Sequence, residues 1–333
     1  MMSARFWVVM TPPARPAESK PHVLMDGQLV PWDEANVHVT THAFLYGTAV
    51  FEGVRAYWND ATSRLGIFEL DAHSKRLERN ARMLGFTEML DWPTLREWML
   101  NLLACNQFST DVYLRPVVYY GEGGIGIYPK TQKQRTLILA VPMGAYFGKP
   151  LLDVKVSTWV RIGGNVIPPM AKVNGGYVNS YLAAKEARDA GFDDAIMLNA
   201  RGYVSEGSGA NLFLVKGGEL HTPRPSDDIL DGVTRNHIFR LAADLDIPVQ
   251  ERAIARAELY AADEAFFCGT GAEITAVGRV DHVPVGTAEV GPITKAIQTR
   301  FHASVRGKLP QYQNLLTPVP RECPLVMPVK KGA

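Results

Sequence analysis

The 333-residue chain has few cysteines, almost no net charge and no long apolar run. Cys105, Cys268 and Cys323 stand singly, with no CxxC spacing, so the sequence predicts neither a disulfide framework nor a cysteine metal site; buried or inert thiols in a reducing, cytoplasmic compartment are expected. Thirty-five basic against 34 acidic side chains leave a formal charge of +1, which provides no global field for nucleic acid or an anionic membrane. No apolar stretch approaches the ~20 residues of a membrane helix, and a soluble protein is expected. Phe6 to Met10 is too short and too weakly preceded by charge to resemble a signal peptide, and reads as an extension before the fold. Internal repeats and low-complexity blocks are also missing.

What is present is a 47% hydrophobic composition, enough to fill two cores. His22 to Val30 reads as a hairpin turning at Asp26-Gly27. A helix is expected from about Pro93, with Leu95, Trp98, Met99, Leu102 and Leu103 on one face. VYLRPVVYY has the two-residue period of a strand, which puts Tyr113 and Arg115 on one face. Gly148 and Pro150 mark an interdomain loop over 148–154, separating a smaller N-terminal α/β domain (1–147) from a larger domain (155–317) and a loose or mobile tail (318–333). In the second domain a helix from about Gly176 to Ala190 precedes a strand, a Gly-rich bend carrying Glu206, and a hairpin. Another helix starts near Gly232 to Thr234, where threonine can cap it.

Two motifs are decoys. GEGGIG (Gly121 to Gly126) matches a dinucleotide-binding pattern, but Tyr128-Pro129 and a polar run follow it where a helix is required. It reads as a flexible loop over the site. His38 and His42 have helical metal-ligand spacing in a β-branched context without an accompanying HExxH glutamate, so packing or hydrogen bonding is expected.

The chemistry-bearing residues are Lys172 and Tyr177 in MAKVNGGY, then Glu206 in GYVSEGSGANLF. An amine, a phenol and a carboxylate are the groups a pyridoxal phosphate enzyme needs: one to condense with the aldehyde, one to meet the ring hydroxyl, one to keep the ring nitrogen protonated. Nine segments, among them YGTAVFEGVRAY, HSKRL, YLRP, GAYFG, LDGVTR and CGTGAE, occur in the order found in fold type IV pyridoxal phosphate enzymes. The chain resembles the branched-chain amino acid aminotransferases of that group from about His22 to Gly307.

The resemblance implies a two-domain α+β / α/β architecture of the D-amino acid aminotransferase type, with pyridoxal 5'-phosphate between the domains. It implies transfer of the amino group of L-leucine, L-isoleucine or L-valine to 2-oxoglutarate by a ping-pong route, in a homodimer or higher homo-oligomer. By it, Lys172 is the Schiff-base lysine and proton carrier, Glu206 meets the pyridine nitrogen and Tyr177 the phenolic oxygen. Arg76, Val233, Thr234 and Thr270 hold the phosphate, although Arg79 and Arg82 share the segment of Arg76. Tyr113 with Thr270 and Gly271 binds the α-carboxylate, Arg115 and Tyr46 the distal carboxylate of glutamate. Phe51 and Tyr146 add to the wall, Gly53 keeps it open, and Ile127 narrows the far side. Gly271 and Asn174-Gly175-Gly176 depart from the usual pattern and bear on substrate range. Rival readings are a D-amino acid or (R)-selective amine transaminase, aminodeoxychorismate lyase, a non-catalytic relative, or a nicotinamide-dependent oxidoreductase.

Overall fold

The computed structural model describes residues 21–88, 91–130 and 132–325; the N-terminal extension and the last residues of the tail lie outside them. The chain first builds β1 (His22–Met25), β2 (Gln28–Pro31), β3 (Ala49–Phe51), β4 (Val54–Asn59), β5 (Arg64–Phe68), β6 (Val112–Tyr120) and β7 (Gln134–Pro142). Helices α1 (His42–Tyr46), α2 (Leu70–Met83) and α3 (Trp92–Asn106) accompany them. The second half contributes β8 (Leu151–Val156), β9 (Asp194–Leu198), β10 (Val204–Gly207), β11 (Asn211–Lys216), β12 (Glu219–Thr222), β13 (Val249–Glu251), β14 (Glu264–Gly269), β15 (Glu273–Val280) and β16 (Val283–Pro284). With them go α4 (Tyr177–Asp189), α5 (Val233–Ala243) and α6 (Pro292–Val305). A last strand, β17 (Leu316–Pro318), returns to the first sheet.

The first sheet is antiparallel throughout, in the order β17-β5-β4-β6-β7-β1-β2, with β3 paired to β6. The second is mixed, β10-β9-β8-β15-β14-β11-β12-β13, with β16 on β15 and parallel pairing at β8–β9, β8–β15 and β12–β13. The expected hairpins at Asp26-Gly27 and Gly217-Gly218 are both present. β8 begins inside the stretch 148–154 expected to be a loop, because Leu152 and Val154 alternate into the core beside β15.

Helix α3 starts as its sequence requires. Asp91 caps the Thr94 amide at 2.9 Å, proline occupies the first turn, and Leu95, Met99, Leu102 and Leu103 are buried. Its apolar face packs on Leu24, Val54, Val112 and Ile138 of the first sheet, where each fully buried side chain contributes roughly 1.5–3 kcal/mol. A further cluster crosses between the halves, joining Tyr57 and Phe68 to Phe213, Phe266, Ile297 and Phe301.

Two expectations about the tail and the cysteines fail together. β17 adds to the free edge of β5, Val319 donates its amide to Leu65, and Cys323 forms a disulfide with Cys105 at the end of α3. The partners are 218 residues apart, so sequence spacing carries no trace of a contact that sheet addition creates. Residues 318–325 are therefore tied down. Cys268 is the buried thiol that was expected, its pKa pushed up by burial.

Candidate active site

Lys172 lies where the two halves meet. Its carbonyl accepts from the Phe51 amide at 3.0 Å, and Val50 bridges Val173, so the lysine segment is strapped along β3. Gly175 makes this possible at the next step: its backbone donates to the Gly47 carbonyl at 3.1 Å, and a Cβ on Gly47 (φ +69°) would sit 2.8 Å from the Gly175 Cα. The Lys172 Nζ donates to the Tyr177 hydroxyl at 2.6 Å and lies 4.9 Å from the centre of the Phe51 ring.

Opposite, β10 delivers Glu206 to a buried position, 4% exposed. One carboxylate oxygen takes the Arg161 guanidinium at 2.7 Å; the other accepts from the Asn211 amide at 2.9 Å and the Leu230 backbone at 3.1 Å. Burial pushes the Glu206 pKa up, opposed chiefly by the Arg161 charge and the Leu230 amide. An ionised carboxylate has about four acceptor positions, so three donors leave room for one more.

At the third corner Arg76, from α2, is held by Glu52, whose carboxylate accepts from Nε at 2.6 Å and Nη2 at 2.9 Å. Burial alone would push Glu52 up, yet Arg76 and His73 hold it well below the usual carboxylate range. Arg76 Nη1 donates to the Asp231 carbonyl at 2.6 Å, next to the first turn of α5. Gly232 is the N-cap of that helix and no side chain caps it; the expected threonine cap fails because Thr234 is already inside the helix. Its first-turn amides point at the cavity with the positive end of the helix dipole. Thr270 and Gly271 sit in the turn between β14 and β15.

Every candidate site residue except Tyr46 and Ile127 lines one cavity of about 250 Å³, so Phe51, Gly53, Tyr113, Arg115 and Tyr146 join the groups above. Arg115 donates to the Tyr113 hydroxyl at 2.8 Å and stacks 4.3 Å over Phe51. Gly53 is obligatory in this packing, since a Cβ there would lie 2.3 Å from the Tyr113 hydroxyl. It makes room for Tyr113 itself.

Tyr46 and Ile127 are elsewhere. Tyr46 is 37% exposed on α1 against His42, and Ile127 is 79% exposed in the 121–130 loop; neither lines the cavity, nor does any residue of that loop. His42 is buried and hydrogen-bonded to Thr48 and the Gly126 carbonyl, the packing role expected of it. Sequence reasoning missed Arg161, Asn211 and Glu52. Asn211 lies within the Glu206 motif, on the adjoining segment. Arg161 and Glu52 answer a general rule, that a buried charge needs a partner, but the rule does not say which residue supplies it.

The residues fit a phosphorylated pyridine aldehyde. An amine faces a carboxylate with one acceptor position left, and a guanidinium and an uncapped helix N-terminus form an anion site beside them.

Comparison with known proteins agrees with this chemistry. Residues 49–280 match the model for amino-transferase class IV. A probable branched-chain-amino-acid aminotransferase of Aquifex aeolicus is 42% identical over 298 residues, 88% of this chain and 95% of that protein. The crystal structure of a branched-chain aminotransferase from Thermoproteus uzoniensis with norvaline superposes with a TM-score of 0.87 at 42% identity, covering 90% of this chain and 99% of that one. A Thermobaculum terrenum branched-chain amino acid aminotransferase in its PLP-form (holo-form) gives a TM-score of 0.86 at 34% identity, covering 91% of this chain and 100% of that one.

Proposed function

The chain belongs to the class IV aminotransferases, and from that membership we propose how its own residues carry out branched-chain-amino-acid transamination, the exchange of an amino group between L-leucine, L-isoleucine or L-valine and 2-oxoglutarate. The observation that carries the proposal is the meeting of Lys172, Glu206 and Arg76 on the walls of one cavity. Pyridoxal 5'-phosphate, when bound, supplies a carbonyl that takes up the amino group and a ring that accepts the electron pair released at the α-carbon.

Lys172 holds the cofactor and then moves the proton at the substrate α-carbon. The Tyr177 hydroxyl, 2.6 Å from Nζ, orients that amine and meets the phenolic oxygen of the ring. Glu206 accepts the ring N–H at its remaining position. An ion pair at about 4 Å is worth on the order of 4 kcal/mol at an effective dielectric near 20, before desolvation is subtracted, which favours the protonated ring at neutral pH. Arg76, the α5 amides of Val233 and Thr234, and the Thr270 hydroxyl hold the phosphate.

Tyr113 and the Thr270-Gly271 amides bind the α-carboxylate common to both substrates. Phe51, Met143 and Tyr146 form a wall for the branched side chain, while Arg115 meets the distal carboxylate of glutamate by giving up its bond to Tyr113. One pocket thereby takes an aliphatic and an anionic side chain in alternate half-reactions.

Phe44, at 71% exposed, lies on α1 with Tyr46, and the neighbouring loop, joined to α1 through His42 and Gly126, exposes Ile127 and Tyr128. A patch of this kind suits a second copy of the chain, and a homodimer is expected by light scattering. No helix among the described residues is long and apolar enough to cross a membrane. A cytoplasmic location is tested by the redox state of Cys105 and Cys323 in cells, where a reduced pair is expected.

A spectral panel tests the reaction. L-leucine, L-valine and L-glutamate should each discharge the visible chromophore of the holoenzyme, with D-alanine and (R)-1-phenylethylamine far slower; a panel led by either of the latter two replaces this reading. Borohydride reduction and peptide mapping should find the cofactor on Lys172.

A further inference from the structure

We propose that Glu52 is a positioning residue for the phosphate end of the site, acting through Arg76 by fixing which of its N–H groups face the ligand. The inference rests on the phosphate-binding role of Arg76 proposed above.

Glu52 sits between β3 and β4, fully buried, with its backbone amide bound to the Pro116 carbonyl at 2.9 Å. Both carboxylate oxygens grip one edge of the Arg76 guanidinium, through Nε and Nη2. His73 Nδ1, one turn back along α2, pairs with the Nη2-bound oxygen at 2.9 Å. The carboxylate is thus fixed from three sides. A guanidinium has five N–H donors in a planar fork. Glu52 occupies two of them and the Asp231 carbonyl a third, leaving one on each terminal nitrogen, beside the α5 N-terminus.

Replacing a buried ion pair with apolar residues is often neutral or stabilising, so this pair is poorly explained by stability alone. It also works against simple attraction, because Glu52 cancels much of the charge that would draw an anion. What the arrangement provides is direction: a guanidinium that cannot swing, with its two remaining donors set at a fixed angle. Fixed donors favour an acceptor with several oxygens in fixed geometry, which a phosphate ester has and a bare hydroxymethyl group lacks.

The test compares pyridoxal 5'-phosphate with unphosphorylated pyridoxal as ligands of the apoprotein, in wild type, Glu52→Gln and Glu52→Asp, with circular dichroism to check folding. Wild type should prefer the phosphorylated ligand strongly; if it does not, the phosphate reading of Arg76 fails and this inference with it. Given that preference, Glu52→Gln should reduce it at least tenfold, about 1.4 kcal/mol, while pyridoxal affinity stays within about twofold. Glu52→Asp keeps the charge but withdraws the carboxylate by one methylene, and should reduce the preference as well. Equal losses for both ligands would assign Glu52 to packing alone. A preference retained in the folded aspartate variant, or tighter phosphate binding in the glutamine variant, would show that only its charge matters and overturn the proposal.

Discussion

The two ends of the cleft are each built on a buried carboxylate–guanidinium pair, set differently toward the cavity. At the second-sheet end Glu206 and its partner Arg161 both line the cavity; at the α2 end the guanidinium of Arg76 lines it and Glu52 stands behind. Each pair is buried, so neither charge can be left alone. On the assignment proposed above, one end would meet a ring N–H and the other phosphate oxygens. The ends also differ in grip. Glu52 is held by a two-point fork and a histidine, and its pKa falls; Glu206 has a single guanidinium nitrogen, an amide side chain and one backbone amide, and burial prevails. The carboxylate held by the two-point fork therefore keeps its charge more firmly than the one met by a single guanidinium nitrogen.

The largest effect should come from the front groups. Glu206→Gln removes the charge opposite the ring nitrogen and should lower kcat/KM for leucine by about 10²–10³-fold, a loss of some 3–4 kcal/mol, within the Coulomb gain at dielectric ~20. Arg76→Gln should instead weaken cofactor retention, with much of the rate restored at saturating cofactor. If both variants lose rate without losing cofactor, the division of labour between the ends is wrong.

A smaller effect belongs to the partner of Glu206. Arg161→Gln should cost about tenfold in rate and move the acid limb of the pH–rate profile upward, because Glu206, already raised by burial, loses its main lowering influence. An unmoved limb would mean that Arg161 is not what keeps Glu206 ionised.

Between the ends, Arg115→Ala should raise KM for 2-oxoglutarate about tenfold and that for leucine about twofold, a charge-assisted bond being worth ~1.5–3 kcal/mol at most. Equal losses would reject its assignment to the distal carboxylate.

The smallest effects are on stability. A depressed folded pKa, as at Glu52, contributes stability that is present above the unfolded value near 4.5 and is lost as pH falls below it. His237, buried between Phe68 and Tyr312 and lowered to about 4, also favours the folded state only when neutral. The unfolded chain takes up that proton first, so stability should fall as pH drops from about 6.5 toward 4. Denaturant melts across pH 3–7 should show both slopes, with Glu52→Gln flattening the lower and His237→Gln the upper.

The front groups were legible in the sequence and the supporting ones were not. Lys172, Tyr177, Glu206 and Arg76 stand in short motifs, and the structure brings all four to the walls of one cavity. Arg161 lies in an irregular segment and is defined only by what it touches. Glu52 was inside a quoted motif and still passed over, since nothing local says that a glutamate between two strands points at a helix. The strands and helices announced themselves by period, with α3 and the Asp26-Gly27 hairpin as the clearest cases. Sheet order did not: the return of β17 to β5, and with it the Cys105–Cys323 link, depends on contacts between segments distant in sequence. Tyr46 and Ile127 show the converse, residues expected at the pocket that lie outside the cavity.

The cleft is also sutured. Arg76 reaches across to the Asp231 carbonyl at one margin, while Arg55 and Tyr57 reach Glu273, and Asp111 reaches Arg306, at the other. A clamshell gape of the two halves would have to undo both seams. Half-exposed Tyr146, on the segment 144–150 beside Gly271, lines the cavity without belonging to either seam.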